Sequence, residues 1–375
     1  MKKHIIIALA AAVALAACTK VSVDEQLEKI SFQVASYMVQ TKATGTSLLN
    51  EGCNSFYTNA WYTPGTGSVQ YFMQNVEILP DANSNPTTWA PADAYYWPKS
   101  GTLNFFSYAS KNALAASELD FGESADPKGT VFTITGHNVA ADDNIMIADA
   151  VYNAGIGNKE QNDITDSDNS NDPQGVPTLM RHLLSQISFT IGLATPSAAS
   201  GTTNFEATIT SATLKNVVNK GSLALTANAS DATGLNTKTW SPASDGTAVG
   251  WTAATSTEDI TLTAPAHTLT LAESATSGNV EDMLVNRTVL PQAISSNDDI
   301  EIEIVYNLDT KHGTTVYTHQ EGLTVTGKLK NVTAVPSWNM NQRITYNVTI
   351  NPITDLITFD PAVVAWTTTS GTLAL

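Results

Sequence analysis

The side chains best suited to chemistry in this sequence are its histidines, two cysteines and one acidic run. Apart from His4, the histidines are His137, His182, His267, His312 and His319. They form no H-E-x-x-H pair and no Cys/His zinc spacing. The chain also lacks a G-x-S-x-G nucleophile elbow, a P-loop and a dinucleotide fingerprint. His182 heads a strand with no nucleophile nearby to activate, so it reads as a packing residue. His312 and His319 bracket the hairpin "HGTTVYTH" and could face each other as a surface pair. The run Asp166-Ser-Asp168-Asn-Ser170-Asn-Asp172 alternates oxygen side chains as the front of an EF-hand loop does. Asn171 stands where that loop needs glycine and Pro177 where it needs the closing glutamate, so a solvated loop is expected. These residues call for no catalysis, no metal and no cofactor.

The chemistry the sequence does advertise is at its N-terminus. Met1-Lys2-Lys3-His4 followed by the apolar run from Ile5 to Leu15 is the basic and hydrophobic part of a secretory signal, too short to span a bilayer. It ends in Leu15-Ala16-Ala17-Cys18, which resembles a bacterial lipobox, so residues 1–17 are expected to be removed and Cys18 lipidated. Each buried acyl methylene contributes ~0.8 kcal/mol, enough for a multiply acylated cysteine to hold the protein to a membrane. Lipidation consumes Cys18 and leaves Cys53 with no partner; it is expected to be buried as a small hydrophobe. Further along, "ISFQVASYMVQTKA" (Ile30 to Ala43) runs from a well-patterned strand into Lys42 flanked by small residues, which reads as a protease site.

The elements that must position these residues are strands. Of the 375 residues 42% are hydrophobic and only 14% charged, while Thr, Ser, Asn, Ala and Gly fill every segment, which favours strands and turns over surface helices. A net charge of −17 repels phosphate, and no Lys/Arg cluster exists to release counterions, so nucleic acid is excluded as a partner. Ile30, Phe32 and Val34 share one face of the first strand and should enter a core. Short strands follow at 55–62, 69–78, 103–109, 130–135 and 144–148. Trp89, Tyr95, Tyr96 and Trp97 are expected to plug a core end rather than to stack on carbohydrate. A second block begins at Pro177, with strands at 187–191, 207–216, 221–225, 259–263, 283–290, 299–307, 323–328, 343–350 and 357–359. The Ala/Ser/Thr-rich stretch 226–257 reads as a long excursion, and 155–175 as an exposed loop or seam. The pattern predicts an all-β chain of two sandwiches with Greek-key pairing.

Taken in order, several segments resemble the fimbrillin (Mfa-like, FimA-like) family of type V pilus subunits. They are the lipobox at Cys18, the Ile30 to Ala43 junction, "YYWPKSGTLNFFSYAS" (95–110), "DNIMIADA" (143–150), "RHLLSQISFTI" (181–191), "KGSLAL" (220–225), "VLPQ" (289–292) and "ITFDPAVVAW" (357–366). The resemblance implies two tandem transthyretin-like β-sandwich domains, 43–176 and 177–375, after a lipidated propeptide, 18–42. It implies a precursor at the outer membrane whose first strand fills its own groove. A trypsin-like protease then cuts between Lys42 and Ala43, and a strand from the next subunit's C-terminus takes the vacancy. The family more often carries arginine at this junction, so a lysine-accepting protease is implied, and Lys20 and Lys29 remain alternative sites. Ile30, Phe32 and Val34 would be the provisional strand. Ile357, Phe359, Val363, Trp366, Leu373 and Leu375 could be the donor, or the C-terminus could complete its own domain. The partners implied are other pilin subunits, the outer membrane before processing, the protease and a host or bacterial surface receptor. A tip adhesin or non-polymerising surface lipoprotein binding glycan or protein is the alternative, and an enzyme lacks the residues it would need.

Overall fold

Period-two alternation builds this molecule. In Glu301–His312 the side chains of Ile302, Ile304, Tyr306 and Leu308 are buried and their neighbours are not. Gln342–Asn351 repeats the pattern with Ile344, Tyr346, Val348 and Ile350. A computed structural model describes residues 28–36, 48, 52–81, 88–115, 117–121, 131–155, 175–195, 203–226, 236–238, 241–242, 250–262, 267–272, 275–297, 299–353 and 356–365. Strands make up nearly all of the regular structure in them, in accord with the all-β expectation.

The first ten strands are β1 (Phe32–Ser36), β2 (Phe56–Thr63), β3 (Gln70–Asp81), β4 (Thr88–Pro91), β5 (Thr102–Ser110), β6 (Leu119–Asp120), β7 (Val131–Asn138), β8 (Ile145–Ala148), β9 (Ala150–Ala154) and β10 (Val176–His182). Hydrogen-bonded neighbours run β5, β2, β3, β4, β1, β10, β8, and β8 pairs again with β5, so the ladder closes on itself. Phe32, Phe56, Trp89 and Phe105 fill the ring with Ile30, Val34, Ile78, Met146 and Met180. A second core lies on the outer face of β5. Leu103, Phe105 and Ala109 point into the ring while Phe106 and Tyr108 join Phe132, Ile134, Leu223, Leu225 and Trp251. That double burial explains why "LNFFSYA" shows so little polar alternation.

The remaining strands are β11 (Ser185–Ala194), β12 (Thr203–Val218), β13 (Lys220–Thr226), β14 (Asn236–Lys238), β15 (Ser241–Pro242), β16 (Trp251–Ala253), β17 (Thr257–Thr261), β18 (His267–Leu271), β19 (Ser277–Val289), β20 (Gln292–Ala293), β21 (Glu301–His312), β22 (Thr315–Lys328), β23 (Ser337–Trp338), β24 (Gln342–Asn351) and β25 (Leu356–Ala365). One sheet, β19-β11-β24-β25, faces another, β17-β12-β21-β22 with β18 on β12, across the largest core. Phe189 stacks on Tyr346 at 4.9 Å within it, and Trp338 Nε1 donates to Tyr346 Oη at 2.8 Å.

Sheet membership crosses the 176/177 division expected from sequence. β10 begins at Val176 and pairs with β1 and β8, and β13 pairs with β7. The stretch 226–257, expected to be an excursion, carries β14 against β9, β15 and β16 against β13, and Trp251 in the second core. Strands this short, among small polar residues, leave no period to read.

Candidate functional site

The first strand is a stave of the closed ring, and its sequence explains how it is held. Ile30, Phe32 and Val34 are buried in the ring core, and each such side chain contributes about 1.5–3 kcal/mol by leaving water. Phe32 meets Phe56 and Phe105 edge-on, with ring centroids 5.5 and 5.6 Å away. On one side β1 pairs in parallel with β10, in register from Phe32 opposite Val176 to Ser36 opposite Met180. On the other side its pairing with β4 is antiparallel and rests on Phe32 opposite Trp89. Just before it, Ile30 N donates to Tyr95 O at 2.8 Å and Trp97 N to Glu28 O at 2.9 Å, with Lys29 bridged to Tyr96.

The seat on β10 is shaped for a close approach. Val176 N donates to Ser31 O at 2.9 Å, so the nitrogen of the next residue, Pro177, faces away from β1 and its missing proton costs this ladder nothing. Gly175 lies against the same backbone: a Cβ there would stand 2.8 Å from Ser31 O. Gln33 points away from the ring core, yet it is only 4% exposed and its Oε1 has no hydrogen-bond partner among the described residues. An unsatisfied buried carbonyl costs about 1–3 kcal/mol, so the strand combines a strong apolar grip with a built-in penalty. Lifting it out would open the ring between β4 and β10 and expose a slot lined by Phe56, Trp89 and Phe105.

At the other end of the described chain, β25 runs antiparallel to β24 from Leu356 opposite Asn351 to Ala365 opposite Gln342. It is the terminal strand of its sheet. Ile357 and Phe359 pack partly against the core over Gly327, where a Cβ would stand 2.7 Å from the Phe359 ring. Val363 pairs with core residue Ile344 and shares its side of the sheet, but is 43% exposed; its neighbour Val364 is 49% exposed. The structure thus places Ile357, Phe359 and Val363 on an edge strand of their own sandwich. Cys18, Lys42, Ala43, Trp366, Leu373, Leu375 and the acidic run Asp166–Asp172 lie outside the described residues.

The histidines serve packing and hairpin contacts. His182 is buried and its Nδ1 donates to Asn144 Oδ1 at 2.8 Å. Burial, and then the Arg343 charge, push it down to about 3, so it stays neutral. His137 Nε2 lies 2.6 Å from Asp143 Oδ2 in a buried pair. His312 and His319, which the hairpin could have brought together, do not face each other. The ladder sets His312 opposite Thr315 and His319 opposite Asp309, because the turn is at Gly313. Hydrogen bonds to Asp309 and then Glu321 raise the His319 pKa above the ordinary histidine value. Among the described residues no group of three His, Cys, Asp or Glu side chains could hold a metal ion. Trp89 and Trp97 are buried in the ring core, as a core plug requires, while Tyr96 is exposed. Cys53 is buried there too. Sequence reasoning missed the penalty at Gln33 and the parallel partner β10; the small-residue signal Gly175-Val-Pro177 was the available clue to the latter.

The family whose model matches the sequence is described as fimbrillin-like, and the match spans residues 41–366. No curated protein sequence matches the chain. Among solved structures it is similar to a fimbrial protein from Bacteroides vulgatus, with a TM-score of 0.50 and 17% identity over 90% of this chain and 99% of that one. It is also similar to the tip fimbrial protein Mfa3 from Porphyromonas gingivalis, with a TM-score of 0.32 and 10% identity over 90% of this chain and 100% of that one. At such identities the first likeness is one of fold, and the second carries no argument.

Proposed function

Because the chain belongs to the fimbrillin-like family, a family of pilus and adhesion subunits rather than enzymes, we propose that it is a structural pilus subunit that polymerises by exchanging β1 for a strand of its neighbour. The observation that carries this reading is the seat of β1: it is a single stave whose loss opens the ring and leaves an apolar slot beside an unpaired β10 edge. In this reading the precursor is exported, lipidated at Cys18 and held at the outer membrane. A trypsin-like protease cuts between Lys42 and Ala43, and residues 18–42 depart with Ile30, Phe32 and Val34. Lys29 is a poor substrate while the strand is seated, since its backbone is bridged to Tyr96 and a protease needs an extended, unpaired chain. The incoming strand must present apolar groups at period two, which Ile357, Phe359 and Val363 do, with Trp366, Leu373 and Leu375 beyond them.

One observation favours a second reading. β25 is paired along its whole length to β24, and a subunit that keeps it there accepts a strand but donates none, as a terminal adhesin would. Trypsin treatment of the full-length precursor separates the two. A ladder of oligomers appearing after a cut at Lys42 supports the polymerising subunit. A trimmed monomer supports the terminal adhesin, and a ladder formed without any cut refutes strand exchange.

A further inference from the structure

β10 is held in two different ways along its length. From Val176 to Leu179 its ladder partner among the described residues is β1, while β8 takes up Met180, Arg181 and His182. Its inward side chains, Val176 and Met180, pack in a core that loses Ile30, Phe32 and Val34 when β1 departs. Strand pairing and apolar contact therefore weaken together on departure. What keeps β10 on the ring is then its three residue pairs with β8 and, just beyond them, the bond from Leu183 N to Ile145 O at 2.8 Å. Asp149 extends that hold toward the vacated end. It stands at the one-residue break between β8 and β9, its N–H donates to Leu179 O at 2.9 Å, and its carboxylate accepts from Arg181 Nε at 2.7 Å and Arg181 Nη2 at 2.9 Å. The Asp149 side chain is 8% exposed, so this charge-assisted fork is little screened by solvent. Both strands that flank Asp149 pair with β5, Ile147 opposite Tyr108 and Val151 opposite Phe105, so the anchor is fixed on a strand that does not pair with β1.

We infer that Asp149 is a positioning residue for strand exchange: by gripping Leu179 O and the Arg181 guanidinium it keeps β10 standing as the accepting edge while the groove is empty. The inference rests on the strand-exchange reading and names the residue pair that readies the groove for its next strand. An incoming strand needs a neighbour whose N–H and C=O groups are already extended, since ordering that edge on arrival would cost conformational entropy and weaken the complex. Asp149 holds β10 from the β8 side, so the edge that faced β1 stays open to the newcomer.

The test starts from trypsin-cleaved precursor, unaltered or carrying Asp149→Asn, from which the 18–42 fragment has dissociated. The emptied subunit is titrated with a labelled synthetic peptide of residues 28–42, followed by fluorescence anisotropy. Asp149→Asn keeps the N–H bond to Leu179 but ends the ion pair, and should weaken peptide binding by about tenfold or more. Amide hydrogen exchange at Asp149 and along 179–182 should quicken in the emptied variant, and should change little before cleavage, when β1 still supports β10. Arg181→Lys, which keeps the charge but not the fork, should fall between the two. A variant that takes up the peptide as tightly as the unaltered chain overturns the inference and leaves strand exchange standing. So does exchange that quickens equally before cleavage and throughout β24, which would mark a general loss of stability. A fragment that never leaves the cleaved precursor, or an emptied unaltered subunit that takes up no peptide, refutes exchange itself, and the inference falls with it.

Discussion

Replacing Gln33 with methionine should slow the departure of β1. Gln33 is only 4% exposed and its Oε1 has no partner among the described residues; methionine matches its length without a polar atom to bury. Removing an unsatisfied buried carbonyl relieves about 1–3 kcal/mol, and all of it accrues to the seated strand, because in the released strand water satisfies the amide. At 1.4 kcal/mol per decade, release from cleaved precursor should slow by about 5–150-fold. The assay is the dissociation of the 18–42 fragment after trypsin treatment, followed by native mass spectrometry, with polymer growth scored in parallel. Phe32→Ala sets the opposite sign. It removes a side chain packed edge-on against Phe56 and Phe105, a change that costs about 3–5 kcal/mol, and release should be accelerated more than about a hundredfold. If Gln33→Met releases its fragment as fast as the unaltered chain, the amide imposes no penalty and the reasoning from Oε1 is wrong.

Three further outcomes follow from the same contacts. Gly175→Ala brings a Cβ within 2.8 Å of Ser31 O, so it should destabilise the precursor by about 1–3 kcal/mol in thermal unfolding; a chain beginning at Ala43 should lose less, because the clash with Ser31 is gone and only the backbone strain at φ +155 remains. Gly327→Ala forces a methyl against the Phe359 ring and should loosen β25 selectively, seen as faster amide hydrogen exchange at residues 356–365 with β21 unchanged. His182 is neutral when folded, with its pKa pushed down to about 3, so between that value and the ordinary histidine pKa the unfolded chain binds the extra proton. Stability should therefore fall on acidification from about pH 6.5, by up to about 1.4 kcal/mol per pH unit. His182→Gln should flatten that slope in denaturant titrations; an unchanged slope would assign the acid sensitivity elsewhere.

The parts of this molecule legible in the sequence are those where one face meets one core. Ile30, Phe32 and Val34 alternate because the far side of β1 is not core, and β21 and β24 alternate for the same reason. β5 defeated that rule, since Phe105 and Phe106 serve two cores on opposite faces. The strands β14 to β16 are two or three residues long, and only Trp251 betrays them. The pairing of β1 with β10, like the return of β13 to β7, joins residues far apart in sequence, and such partners are chosen by packing rather than by local pattern. Whether His312 and His319 meet was open in the sequence: the turn at Gly313 fixes the register, and with it the partners of both. Gln33 was visible as a residue but not as a penalty, which depends on what buries it.

The central claim is that the ring's first stave is temporary. Its most direct test is N-terminal sequencing of subunits recovered from assembled surface fibres. The account predicts that they begin at Ala43. Fibre subunits that still begin at an acylated Cys18 would contradict it.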